Sequence, residues 1–143
     1  MKTGIPVSMM AAAALCGCTS IQVKPVDEVA AIKQVCVVEN PKVEVSDFVD
    51  VIRDGLNRHG IASTVVNTDG ARNCEVTMTY TALRTWDFAP YLSHAELRLW
   101  RDGRQIGAAT YHLNGGGGLS LAKWAGTHSK IDPVMDQLLA ARP

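Results

Sequence analysis

Four cysteines, four histidines and a run of four glycines are the parts of this 143-residue chain whose types could do chemistry. A thiolate can act as a nucleophile, a metal ligand or half of a disulfide. Cys16 and Cys18 lie close together near the N-terminus, whereas Cys36 and Cys74 stand apart beyond them. His59, His94, His112 and His128, with several serines, allow a Ser/His/Asp arrangement on paper, but no serine sits in a nucleophile motif. A glycine run that cradles phosphate needs a strand before it, a helix after it and a Lys with Ser/Thr at set spacing. Gly115 to Gly118 is followed instead by Leu119-Ser120-Leu121, which reads as a mobile connection. No motif here specifies a metal, a nucleotide or another cofactor. The chain is therefore read as a non-enzyme without a cofactor.

The segment that carries the first two thiols opens with one positive side chain, Lys2, and continues as a largely apolar stretch from Ile5 to Leu15, interrupted by Pro6 and Ser8. A spanning helix needs about 20 apolar residues. This run is shorter, and it has the length of a cleaved signal peptide. Its end, Leu15-Cys16-Gly17-Cys18, resembles the bacterial lipobox, with an aliphatic residue three before the cysteine and a small residue just before it. The resemblance implies diacylglycerol attached to Cys18 through a thioether, cleavage after Gly17 and acylation of the new N-terminus. Residues 1–17 are then the signal peptide. Several acyl chains make such an anchor stable, since each buried methylene contributes about 0.8 kcal/mol. By resemblance to lipoprotein sorting signals, Thr19 in place of Asp favours the outer membrane, with the domain facing the periplasm.

Removal of 17 of the 143 residues leaves 126, enough for one domain with its own core. The mature balance of 13 basic and 14 acidic side chains gives no electrostatic pull toward nucleic acid or anionic lipid. With Cys16 removed and Cys18 lipidated, Cys36 and Cys74 are the remaining pair in an oxidising compartment. They are expected to form a disulfide.

Thr19 to about Ile32 shows neither the helical nor the strand period and reads as a tether, so 18–32 is taken as the lipidated N-terminus and 33–143 as the folded domain. Fourteen extended residues reach at most about 50 Å, which would keep the domain near its membrane. Val35, Cys36, Val37 and Val38 suit a buried strand ended by Asn40-Pro41. Ser46 can cap a helix whose stripe is Phe48, Val49, Ile52 and Leu56, with Gly60 closing it. Ile61 to Val66 is a short strand. Cys74 to Ala82 is the most regular one, with Cys74, Val76, Met78, Tyr80 and Ala82 alternating against Glu75 and three threonines. Asp132-Pro133 is expected to start a last helix with Val134, Met135, Leu138 and Leu139 on its apolar face. Leu119 to Trp124 is either a short helix or an irregular cover.

Leu92 to Trp100 and Gln105 to Leu113 form a hairpin around Asp102-Gly103, a dipeptide suited to a two-residue turn. Plain counting from that turn sets Leu99 against Ile106, Leu97 against Ala108, Arg98 against Gly107 and His94 against Tyr111. His112 then faces away from His94, and the two share neither a metal nor a proton. The outer face carries His94, Glu96, Arg98, Trp100 and Tyr111. Five of the eight aromatic residues lie between positions 86 and 111. They either complete the core or form a recognition surface centred on Arg98 and Trp100.

These elements predict an α+β domain of two layers, with an antiparallel-rich mixed sheet of four to five strands and two helices on one face. The lipobox, Asn40-Pro41, the step Arg58-His59-Gly60-Ile61, Trp86-Asp87 and the tail from Lys123-Trp124 to Lys130-Ile131-Asp132-Pro133 together resemble the Sbal-type family of small proteobacterial lipoproteins. That resemblance implies an envelope lipoprotein and transfers no functional residue beyond Cys18. The expected function is a non-catalytic lipoprotein anchored at Cys18 that binds another envelope component. The alternative is a binder of a small ligand or peptidoglycan fragment, in a pocket among Trp86, Tyr91 and Trp124.

Overall fold

The computed structural model describes residues 19–141. The signal segment, the lipobox and Cys18 lie outside the described residues. The fold is α+β, as the element order predicts. Its sheet has six strands where four to five were expected: β1 (Thr19–Lys24), β2 (Gln34–Val38), β3 (Ala62–Val66), β4 (Val76–Asp87), β5 (Ala89–Arg101) and β6 (Arg104–Leu113). Their order across the sheet is β1-β6-β5-β4-β2-β3. The pairs β1-β6, β6-β5 and β5-β4 are antiparallel, while β2 runs parallel to both β4 and β3. Helices α1 (Phe48–Arg58) and α2 (Thr127–Leu138) pack against each other.

The core follows from the periods. Phe48, Val51, Ile52 and Leu56 are the buried stripe of α1, and Ile131, Val134, Met135 and Leu138 that of α2. Both meet the inward residues of the sheet, among them Val35, Val37, Met78, Leu97 and Leu99. Phe48 and Tyr80 rings touch at 5.6 Å between centroids. Asn40, just after β2, donates its backbone N–H to the Tyr80 hydroxyl at 3.1 Å and its side-chain amide to the Tyr80 carbonyl at 2.9 Å.

Four expectations need correction. The 19–32 stretch is not a tether. Thr19–Lys24 is an edge strand on β6, Val26 is buried, and its N–H donates to the Leu138 carbonyl at 2.9 Å. Only Ile21 and Val23 carry the strand period in this segment, too few to stand out, because an edge strand packs one face and leaves the rest exposed. Second, Ser46 does not begin the first helix. The flanking residue is Asp47, whose carboxylate accepts from the Thr127 hydroxyl of α2 at 2.8 Å and so ties the two helices together.

Third, α2 starts at Thr127, and Pro133 lies inside it. A proline there costs about 3 kcal/mol. Four fully buried apolar side chains on that helix outweigh it at about 1.5–3 kcal/mol each. Fourth, the two-residue turn forms, with Asp102 at φ 51° and Gly103 at φ 71°, but a bulge follows it. Trp100 pairs with Gln105 and Leu99 with Gly107, so Ile106 is the extra residue and every later pair moves by one. Arg98 therefore faces Ala108, Leu97 faces Ala109 and Ala95 faces Tyr111. Tyr111 is consequently buried rather than on the outer face.

A polar clasp closes the helical layer. Arg58 of α1 reaches Asp132 and Asp136 of α2, each at 3.1 Å, and His59 reaches Asp136 at 2.9 Å. The hydrogen bond from His59, and then that from Arg58, hold the Asp136 carboxyl below its ordinary value. A depressed folded value means that the contribution is complete above the unfolded value near 3.8 and is lost as pH falls through the folded one. These groups are largely exposed, so screening keeps the effect small. Asp136→Asn is expected to cost about 1 kcal/mol or less at neutral pH. The wild-type advantage should vanish in thermal melts taken at strongly acidic pH, and an advantage that persisted there would assign it to packing.

Candidate functional site

Two regions gather polar and aromatic side chains. The first is the outer face of β5. Because strand residues two apart share a face, His94, Glu96, Arg98 and Trp100 form a line. Arg98 donates to one Glu96 oxygen at 2.8 Å, and the other Glu96 oxygen lies 3.1 Å from His94 Nε2. The Trp100 indole N–H donates to Thr79 Oγ1 of β4 at 2.9 Å. Arg98 and Trp100 thus occupy the face predicted for them, each held by a different neighbour.

The bulge also reverses the reading of the histidines. His94 and His112 are directly paired across β5 and β6, with Nδ1 atoms 3.2 Å apart. When His94 donates through Nε2 to Glu96, its Nδ1 is left as an acceptor, and His112 supplies the proton between them. The pair can hold one proton in common. Among the described residues, no group of three or more His, Cys, Asp or Glu is placed to hold a metal ion.

The second region is the end of the sheet where β4 turns into β5. Asp87 pairs with Ala89 around Phe88, whose φ is 57°. That is a left-handed conformation in which a bulky residue is strained. A short helical turn, Leu121–Trp124, is bound to this tip. The Trp124 indole N–H donates to the Asp87 carbonyl at 2.9 Å, and Lys123 forms an ion pair with the Asp87 carboxylate. The same Lys123 ammonium donates to the Gly118 carbonyl at 3.2 Å and lies 4.4 Å from the Trp124 ring centroid. Lys130 of α2 is buried beneath, donating to the Leu92 carbonyl at 3.0 Å and to the Lys123 carbonyl. Burial pushes its ammonium below the ordinary lysine value.

The glycine run serves this end. Gly115, Gly116, Gly117 and Gly118 all have positive φ, between 54° and 81°, which side-chain-bearing residues adopt only at a cost. The Tyr91 hydroxyl donates to the Gly116 carbonyl at 3.2 Å. Lys123, Lys130 and Asp87 were not singled out from the sequence. One signal was present: Lys130 falls on the apolar spacing of α2 between Thr127 and Val134, which places a lysine on the buried face.

The concavities are modest. A cleft of about 390 Å³ beside the disulfide is lined by Ile32, Lys33, Cys36, Cys74, Glu75 and Arg101. Tyr91 and Trp124 share a smaller one of about 220 Å³. Trp86 does not line it; its side chain is exposed, so the three aromatics expected around one pocket are not brought together. The Cys36–Cys74 disulfide is formed, with Cα atoms 6.2 Å apart.

The fold and this site define a small, disulfide-stapled α+β domain with a mixed six-stranded sheet and two helices. No family model matches the chain, and no curated protein does. Among solved structures it is similar to a single-residue variant of the PelC dodecamer from Paraburkholderia phytofirmans. The TM-score is 0.61 at 17% identity, over 87% of this chain and 99% of that one. A second PelC dodecamer structure from the same organism aligns with a TM-score of 0.57 at 20% identity, over 83% and 98% of the two chains. At these identities the likeness shows a shared fold.

Proposed function

We propose that this protein is a non-catalytic envelope lipoprotein, anchored through Cys18, that acts by assembling with copies of itself and with another envelope component. The observation that carries this reading is the position of Thr19. It is the first residue of an edge strand and pairs with Leu113, so a lipid on the preceding cysteine would fix one end of the sheet, with no spacer, against the membrane. Similarity to dodecameric chains that this fold matches almost end to end supports self-assembly. The outer sheet face with Arg98 and Trp100 is the surface offered to the envelope partner.

The test uses the full chain expressed in a Gram-negative host. Radiolabelled fatty acid is expected on the wild type and not on Cys18→Ala, with loss of the variant from the membrane fraction. Label retained by Cys18→Ala would overturn the assignment of the anchor. For assembly, sedimentation velocity of the detergent-purified mature protein should give a protein mass several times that of one chain. A monomer across the micromolar range would remove that part of the reading.

A second reading, a small-ligand binder, rests on the 390 Å³ cleft. Arg101 lines it, and its buried Nε makes no hydrogen bond, though it lies 3.4 Å from a Glu75 carboxylate oxygen in an ion pair. It predicts that a peptidoglycan-fragment mixture perturbs the NMR amide signals of Arg101 and Glu75. Unshifted signals would discard it.

A further inference from the structure

Five large apolar side chains are markedly exposed at one end of the sheet: Leu83, Trp86, Phe88, Leu119 and Leu121. Trp86 and Phe88 are 72% and 91% exposed, Leu121 is 80% exposed and Leu119 is fully so. They come from two separate segments that one side chain holds together, since Lys123 contacts Asp87, between Trp86 and Phe88, and Gly118, next to Leu119. Phe88 is held at the apex in a conformation that strains it, with nothing over its ring. Isolated exposed hydrophobes are ordinary, but a gathered set of large ones marks an interaction surface.

The topology says what covers it. β5 leaves the Phe88 tip toward Arg101, and β6 returns from Arg104 to Leu113, so Leu113 ends at the same end of the sheet as the tip. Thr19 pairs with Leu113, and the glycine turn follows immediately. Thr19, the first described residue, is therefore at this end, and Cys18 precedes it directly in the sequence. Trp, Phe and Leu on short loops are the side chains that enter the boundary between headgroups and acyl chains.

We infer that this apolar end is a membrane-docking surface, in which Trp86, Phe88, Leu119 and Leu121 enter the lipid leaflet that holds the Cys18 anchor. The inference rests on the anchored-lipoprotein reading above. It makes the contact two-point: the lipid prevents escape, and the apolar end sets orientation, standing the sheet on its loop end. The cleft beside the disulfide then points away from the bilayer, because Cys74, Glu75 and Arg101 lie at the opposite ends of β4 and β5.

The experiment reconstitutes the purified mature lipoprotein into vesicles of phosphatidylethanolamine and phosphatidylglycerol, with or without bromine on the acyl chains. Tryptophan emission is compared between wild type and Trp86→Phe, so that the difference reports Trp86 alone. Intact mass spectrometry of the same sample records whether Cys18 carries acyl chains. Brominated lipid is expected to quench the Trp86 component by about half or more, as for a ring at the headgroup boundary. Replacing Leu119 and Leu121 by Ser should weaken that quenching while leaving the circular dichroism spectrum unchanged. An acylated protein whose Trp86 is not quenched overturns the docking surface and leaves the anchor standing. A protein without acyl chains whose Trp86 is nonetheless quenched does the reverse. An unquenched Trp86 whose emission shifts to the blue as protein concentration rises assigns the patch to contacts between copies, and also overturns the inference.

Discussion

Replacing Cys36 and Cys74 together by alanine is expected to lower the free energy of unfolding by about 4 kcal/mol, the chain-entropy value for a loop of this length. The bridge spans 38 residues, and that loop contains α1 and β3, which with β2 make up the parallel unit of the fold. Its position matters as much as its length. Between the antiparallel part of the sheet and the parallel part, β2 meets β4 through only two residue pairs, Cys36 with Thr77 and Val37 with Met78. So short a ladder has little cooperativity of its own, and the disulfide fixes it from the side. Urea unfolding of the double variant should show the loss. Dithiothreitol added to the wild type should reproduce it, and a loss below about 1 kcal/mol would show that the helices alone hold the seam.

The second large effect is expected at Gly107. A Cβ there would sit 2.5 Å from Val26 Cγ2 and 3.0 Å from Val26 Cα. The methyl can turn away, but the main chain cannot easily yield. Val26 donates to the Leu138 carbonyl, and the next residue, Asp27, donates to the Ile106 carbonyl at 3.0 Å. Gly107→Ala is therefore expected to cost about 1–3 kcal/mol, the range for overpacking a tight site, and Gly107→Val should exceed it. Hydrogen exchange should quicken first at the Val26 and Asp27 amides, because the crossing segment has to lift off the bulge. A Gly107→Ala protein as stable as wild type, with those amides unchanged, would mean that the close approach relaxes at no cost.

Both predictions concern places where the sequence was only partly legible. The Asp102-Gly103 turn could be read directly, since both positions require positive φ. The bulge after it could not, because Ile106 and Gly107 fit either register by hydrophobicity. What selects the observed one is Val26 crossing over Gly107, a contact between residues about eighty positions apart in the chain. From that single shift follow the burial of Tyr111 and the meeting of His94 with His112. The Arg98 and Trp100 face survived the slip because both residues belong to β5, whose own alternation does not depend on how β6 is counted.

The loop end was legible in fragments. Its glycines, aromatics and lysines were visible as residue types, and each taken alone reads as a flexible connection, a core completion or a solvated charge. Their joint meaning needs Lys123 to reach Asp87 and Gly118 at once, which no local period encodes.

The sequence by itself determined the α+β class, the helical and strand faces of the core, the two-residue turn and the pairing of Cys36 with Cys74. These follow from periods of 3.6 and 2, from backbone angles that particular residues require, and from the count of available thiols, all local or combinatorial constraints. Tertiary structure alone decided that 19–24 is a sixth strand, that α2 continues through Pro133, that β6 is bulged, and that the exposed apolar side chains lie at the end of the sheet where Thr19 stands. In each case the deciding energy is a contact between distant segments: Val26 on Gly107, the α2 stripe on the core, Thr19 on Leu113. A weak local preference cannot oppose such contacts, and a one-dimensional reading cannot see them.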